Sequence, residues 1–146
     1  MFEVRFCGEN AEFLCIRVQG RSHLGFTADF WDGNWLRSEI EVRAGGFRCQ
    51  TVADLRAEEF APFHKQLLKL QKTLGGEATF ETLERQLTIH VHGDGRGHMK
   101  FKCVLLDQAG IGNKLDFVLE SDQTFLAPAI SDLGVIVESF PVVGNP

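Results

Sequence analysis

Leu36-Arg-Ser-Glu-Ile-Glu-Val-Arg-Ala-Gly-Gly-Phe-Arg-Cys49 is the stretch whose reading decides the fold. Leu36, Ile40 and Val42 fall on one face. Arg37, Glu39, Glu41 and Arg43 fall on the other, which is the period of two of a half-buried strand. Gly45-Gly46 then offers two residues that accept positive φ, the requirement of a two-residue hairpin turn. The returning chain sets Ala44 opposite Phe47 and Val42 opposite Cys49, so the apolar faces stay in register. Such a hairpin predicts an antiparallel sheet with one wet face.

Toward the N-terminus, Phe2, Val4 and Phe6 alternate with Glu3 and Arg5. After a turn at Gly8-Glu9-Asn10, Leu14, Ile16 and Val18 alternate as far as Gly20. Arg21 to Phe30 shows no period. Toward the C-terminus, Phe60, Phe63, Leu67, Leu70 and Leu74 step by three and four, an apolar stripe on a helix. Pro62 places the regular start of that helix near Glu58 or Glu59, with the proline in the first turn, and Gly75-Gly76 is expected to end it.

A short strand is expected over Ala78 to Thr82, and another where Leu87, Ile89 and Val91 alternate with Thr88, His90 and His92. A glycine turn, Gly93 to Gly97, leads into Met99, Phe101, Cys103 and Leu105. This reading pairs Val91 with Met99 and Ile89 with Phe101. A second turn, Asp107 to Asn113, precedes Leu115, Phe117 and Leu119. Cap candidates at Ser121 to Thr124 open a second helix, striped by Leu126, Ile130, Leu133 and Val137. Pro128 fits only near its start, Phe140-Pro141 stops it, and the tail from Val142 to Pro146 is expected to be loose.

The sum is an α+β class with about eight strands, in one antiparallel sheet or two, and two helices. Each helix carries an early Ala-Pro, Ala61-Pro62 and Ala127-Pro128, which hints at an internal duplication of a ββββα unit.

A chain of 146 residues suggests one domain, 1–146, large enough to bury a core without disulfides or metal. Thirteen phenylalanines and no tyrosine point to a heavily apolar core. A net charge of −5 argues against a protein that grips nucleic acid phosphates directly and suits a basic protein partner. Four cysteines without a Cys-x-x-Cys pair fit free thiols in a reducing cytoplasm. No apolar run reaches membrane-spanning length. Oligomeric state stays open.

Both tryptophans lie in Asp29-Phe-Trp-Asp-Gly-Asn-Trp-Leu36. Trp31 and Trp35 either plug one end of a sheet or anchor a partner, with Asp29 and Asp32 as acidic neighbours. Asp29 and Asp32 could instead serve acid–base chemistry or a metal, or cap and brace the turn at Gly33-Asn34. His90, His92 and His98 are the metal candidate, with Asp94 as a further ligand candidate, against a plain solvated face. Gly93-Asp-Gly-Arg-Gly97 lacks the ending and context of a phosphate-binding loop. Cys49 and Cys103 sit at inward strand positions and read as small core residues, not nucleophiles. No cofactor motif declares itself.

Taken together, several stretches resemble the WapI-type immunity proteins of bacteria. They are Asp29 to Leu36, Gly45-Gly46-Phe47, Gly75-Gly-Glu-Ala78, Arg96-Gly-His98, Asp122-Gln-Thr-Phe-Leu126 and Phe140-Pro141. The resemblance implies a cytoplasmic, non-enzymatic antidote. Such a protein binds the toxic C-terminal domain of a secreted polymorphic toxin, a nuclease in the named case. Two other readings stay open beside it: a metal-binding protein or enzyme built on the three histidines, and an assembly module that pairs with itself through a sheet edge.

Overall fold

A computed structural model describes residues 2–26 and 28–146. Four antiparallel strands form the first sheet: β1 (Phe2–Cys7), β2 (Phe13–Arg21), β3 (Trp35–Ala44) and β4 (Phe47–Arg56), neighbours in that order. A short helix, α1 (Phe30–Gly33), interrupts the path from β2 to β3. Helix α2 (Ala57–Thr73) follows. The second sheet repeats the pattern with β5 (Gly75–Glu81), β6 (Leu87–Asp94), β7 (His98–Gln108) and β8 (Ile111–Asp122), and α3 (Gln123–Ser139) closes it. The architecture is therefore α+β with two sheets of four strands.

The internal repeat extends to the helices. Both have 17 residues, and Pro62 and Pro128 are each the sixth. The expectation of a first-turn proline is corrected: α2 begins at Ala57, upstream of Glu58. Each proline forfeits one backbone bond, to the carbonyl of the residue four before it. Each helix also crosses to the other half, since α2 packs against β5, α3 against β1, and the two pack together.

The crossing brings the inner faces of both sheets into one core. Phe6 lies 5.9 Å from Phe63 and 5.6 Å from Phe101, ring centre to ring centre, and Phe80 lies 5.3 Å from Phe60 and 5.4 Å from Phe63. Such aromatic pairs add about 0.5–1.5 kcal/mol each beyond their burial. The hairpin at Gly45-Gly46 has the expected register, with Ala44 opposite Phe47 and Val42 opposite Cys49. Phe2, Val4 and Phe6 pair with Val18, Ile16 and Leu14.

Three local expectations change. Helix α2 ends at Leu74, a left-handed residue with φ 61°, and Gly75-Gly76 already belong to β5. Left-handed leucine costs about 1–2 kcal/mol. The cost is offset because the leucine side chain packs on the core and its carbonyl accepts the Gly95 N–H at 2.8 Å. The β6–β7 register is shifted by two: Val91 pairs with Phe101 and Gly93 with Met99. Strand β6 runs on to Asp94 because Gly93 passes so close to Leu74 that a Cβ there would sit 2.5 Å from the Leu74 oxygen. Asp94 then tightens the turn by accepting the Arg96 and His98 N–H groups. The turn expected over Asp107 to Asn113 shrinks to Ala109-Gly110, because β7 and β8 run further and pair Gln108 with Ile111.

Candidate partner-binding surface

The segment before β3 is built around one short turn of helix. Asp29 caps α1, its Oδ1 accepting the Trp31 N–H at 2.9 Å and the Asp32 N–H at 3.1 Å. The capping role foreseen for the aspartates thus falls to Asp29. Gly33 admits no side chain, since a Cβ would lie 2.1 Å from the Phe26 oxygen.

A four-residue helix leaves its carbonyls without internal partners. Here arginines and an asparagine take them. Arg56, at the end of β4 and only 1% exposed, donates to the Trp31 oxygen at 2.7 Å and the Phe30 oxygen at 2.8 Å. Its Nε pairs with Glu58. Its guanidinium lies over three rings, 4.7 Å from the centre of Trp35, 5.2 Å from Phe30 and 5.5 Å from Trp31. Desolvated cation–π contacts of this kind are worth about 2 kcal/mol. Arg21 donates to the Gly33 oxygen at 2.7 Å and to the Pro141 oxygen at 2.5 Å.

The C-terminal tail is not loose. Fully buried Asn34 donates to the Val143 oxygen and accepts the Val143 N–H, both at 2.9 Å, and donates to the Phe30 oxygen at 2.8 Å. Gly144, with φ 68°, fits against Ala28 and Phe30 where a Cβ would meet their backbones at 2.6 Å. The expectation failed because the tail has no apolar period; one asparagine hydrogen-bonds it instead.

On this base Trp31 is 56% exposed, and Leu24, at 81%, and Phe26 of the adjoining loop are exposed with it. Asp29 and Asp32 flank the indole at the surface, and neither is ion-paired among the described residues. Trp35 is half-buried beneath Arg56. The four residues singled out from sequence are brought together, with Trp31, Asp29 and Asp32 outward and Trp35 behind them. Arg56, Asn34 and Arg21 were missed. Only the spacing of Arg56 to Glu59, that of a capping box, pointed there, and arginine is not an ordinary cap.

The histidines are divided. His90 and His92 share the carboxylate of Glu77, at 3.3 and 3.7 Å, while His98 bonds Glu120 at 2.6 Å. His92 faces Lys100 across the ladder, not His98. Among the described residues no three metal-ligating side chains converge. Burial pushes the Cys103 thiol up to about 12 and the Cys15 thiol up to about 11, and raises Cys49 as well, which suppresses thiolate chemistry. Among the described residues no helix is long and apolar enough to cross a membrane.

Set beside known proteins, the chain matches none of the curated ones. A solved structure described as MRP1/MRP2 of trypanosoma bruciei is similar at 10% identity, over 94% of this chain and 83% of that one. Its TM-score of 0.48 is too low for that likeness to bear on fold or function. The model of the Immunity protein WapI-like family matches residues 5–141, nearly the whole of both ββββα halves. The chain therefore belongs to the Immunity protein WapI-like family.

Proposed function

We propose that this protein is a non-enzymatic antidote that binds a basic toxin domain in the bacterial cytoplasm and blocks it, the toxin being a nuclease. The observation that carries this reading is Trp31, a large aromatic held exposed on a rigidly hydrogen-bonded turn between two unpaired carboxylates. Binding hot spots are enriched in tryptophan because it buries much area and loses few rotamers. Preorganisation by Arg56 and Asn34 means that little entropy is lost when a partner docks. Asp29 and Asp32 supply complementary charge to a nuclease, whose cleft must be basic to hold phosphates. Leu24 and Phe26 extend the apolar area, and Trp35 acts from behind by fixing Arg56.

The test is affinity capture with expressed C-terminal toxin domains, followed by titration of Trp31→Ala and Asp32→Lys. We expect a single basic toxin domain to be retained, and each substitution to weaken binding about tenfold or more. Asp32→Lys does so without lowering the urea midpoint, whereas Trp31→Ala also gives up its ring contact with Arg56 and is compared as folded protein in the absence of urea. A Trp31→Ala protein that folds and binds as the wild type does would remove this surface from the interface. Failure to retain any toxin domain would remove the antidote function.

A further inference from the structure

Strand β4 is an edge of the first sheet, and its end at Arg56 lies beside the tryptophan segment. The two-residue turn fixes the ladder so that Phe47, Cys49, Thr51, Ala53 and Leu55 bond to β3. The N–H and C=O groups of Arg48, Gln50, Val52 and Asp54 then point away from the sheet. The Val52 oxygen confirms this sense, since it accepts the Gln86 Nε2 from the second sheet at 2.8 Å. Among the described residues, the remaining outward amides of these four have no partner.

Edge strands are normally blunted by proline, lysine, a bulge or a covering element. Strand β4 has no proline or lysine and its register with β3 is continuous; Arg48 is the cation at its outward positions, and the Gln86 side chain covers it at Val52 alone among the described residues. The other edges are treated differently. Helix α3 packs on β1 and α2 on β5. Strand β8 carries a bulge opposite Leu106 to Gln108 and Lys114 on its open stretch, and its Glu120 oxygen is taken by the Glu9 N–H at 2.9 Å.

Beside β4, where it meets residues 84–86 and 107–109 of the second half, lies a cleft of about 430 Å³. Asp54, Glu84 and Asp107 line it, with Arg37 as the one cation of its lining, and Val52, 69% exposed, lies at its rim. Ser22 donates to Asp54 at 3.2 Å and Trp35 pairs with Arg56, so edge, cleft and tryptophan turn are continuous.

We propose that an extended basic segment of the toxin adds to the first sheet along β4, between Arg48 and Asp54, replaces the Gln86 Nε2 at the Val52 oxygen, and sends a lysine or arginine into the acidic cleft. Main-chain pairing supplies affinity in this mode, and the cleft supplies selectivity. The inference rests on the antidote reading, because its occupant is the captured toxin domain.

The test is amide hydrogen exchange of the whole protein, free and bound to the captured toxin domain. The amides of Arg48, Gln50, Val52 and Asp54 exchange fast in the free protein, and those of Cys49, Thr51 and Ala53 slowly. In the complex the first set slows at least tenfold. Two variants accompany it: Gln50→Pro, which removes an N–H that β3 does not use, and Glu84→Lys on the exposed rim. Each weakens binding at least tenfold while the urea midpoint of Glu84→Lys stays at the wild-type value. A complex that forms with the four outward amides unprotected overturns strand addition and leaves the antidote function standing. Absence of any complex overturns both.

Discussion

Replacing Arg56 by methionine should cost about 3–5 kcal/mol, the usual penalty for removing one partner of a buried charged network. The change strips donors from two carbonyls, Phe30 and Trp31, and leaves Glu58 without its cation. One oxygen of Glu58 is already buried without a partner, so the lost guanidinium is not replaced from within. Three aromatic rings also lose the charge they surround. Against a domain stability of about 5–15 kcal/mol, this is a large fraction. It corresponds to a fall of roughly 10 °C in Tm for a chain of this length. Urea unfolding followed by fluorescence is the assay, because both tryptophans of the chain lie at this site. Emission of the folded variant should shift to the red as water reaches Trp35. Arg56→Lys keeps the charge but not the fork that spans two carbonyls, and should fall between wild type and methionine. A loss below about 1 kcal/mol with unchanged emission would refute the idea that Arg56 organises the surface.

Two further outcomes concern the same region. Asn34→Ala removes three hydrogen bonds, one to Phe30 of α1 and two to Val143 of the tail. At about 1 kcal/mol each it should lose about 2–3 kcal/mol and make residues 141–146 sensitive to protease, whereas a resistant tail would contradict the clamp. Burial pushes the Glu59 carboxyl up to about 7, against the pull of the Arg56 and Leu83 N–H groups that it accepts. A raised carboxylate value in the folded state means that folding favours the protonated form. Its contribution is full below the ordinary glutamate range and is lost as pH rises through about 7. The difference in urea midpoint between wild type and Glu59→Gln should therefore move against wild type from pH 5 to pH 8; movement the other way would reverse the sign.

What was legible in the chain, and what was not, divides by the range of the forces. Strand faces, the Gly45-Gly46 hairpin, the two apolar helix stripes and the repeated ββββα order follow from alternation and step, which depend on residues a few positions apart. Two sheets in place of one, the helices crossing to the opposite half, and the two-residue slip of β6 on β7 depend on contacts far apart in sequence. Gly93 lengthens its strand only because Leu74 lies against it. The three histidines were near one another along the chain, but the ladder put Lys100 opposite His92 and gave His98 to Glu120.

The surface shows the same division most plainly. By itself the sequence determined that two tryptophans and two aspartates would share one turn, because they are neighbours in the chain. Only the tertiary structure decided which of them face outward. Arg56 arrives from the end of β4 and Asn34 holds Val143 from the far end of the chain. These are polar bonds between distant residues, and they leave no period in the sequence, because a hydrogen bond needs only one donor and one acceptor at the right place.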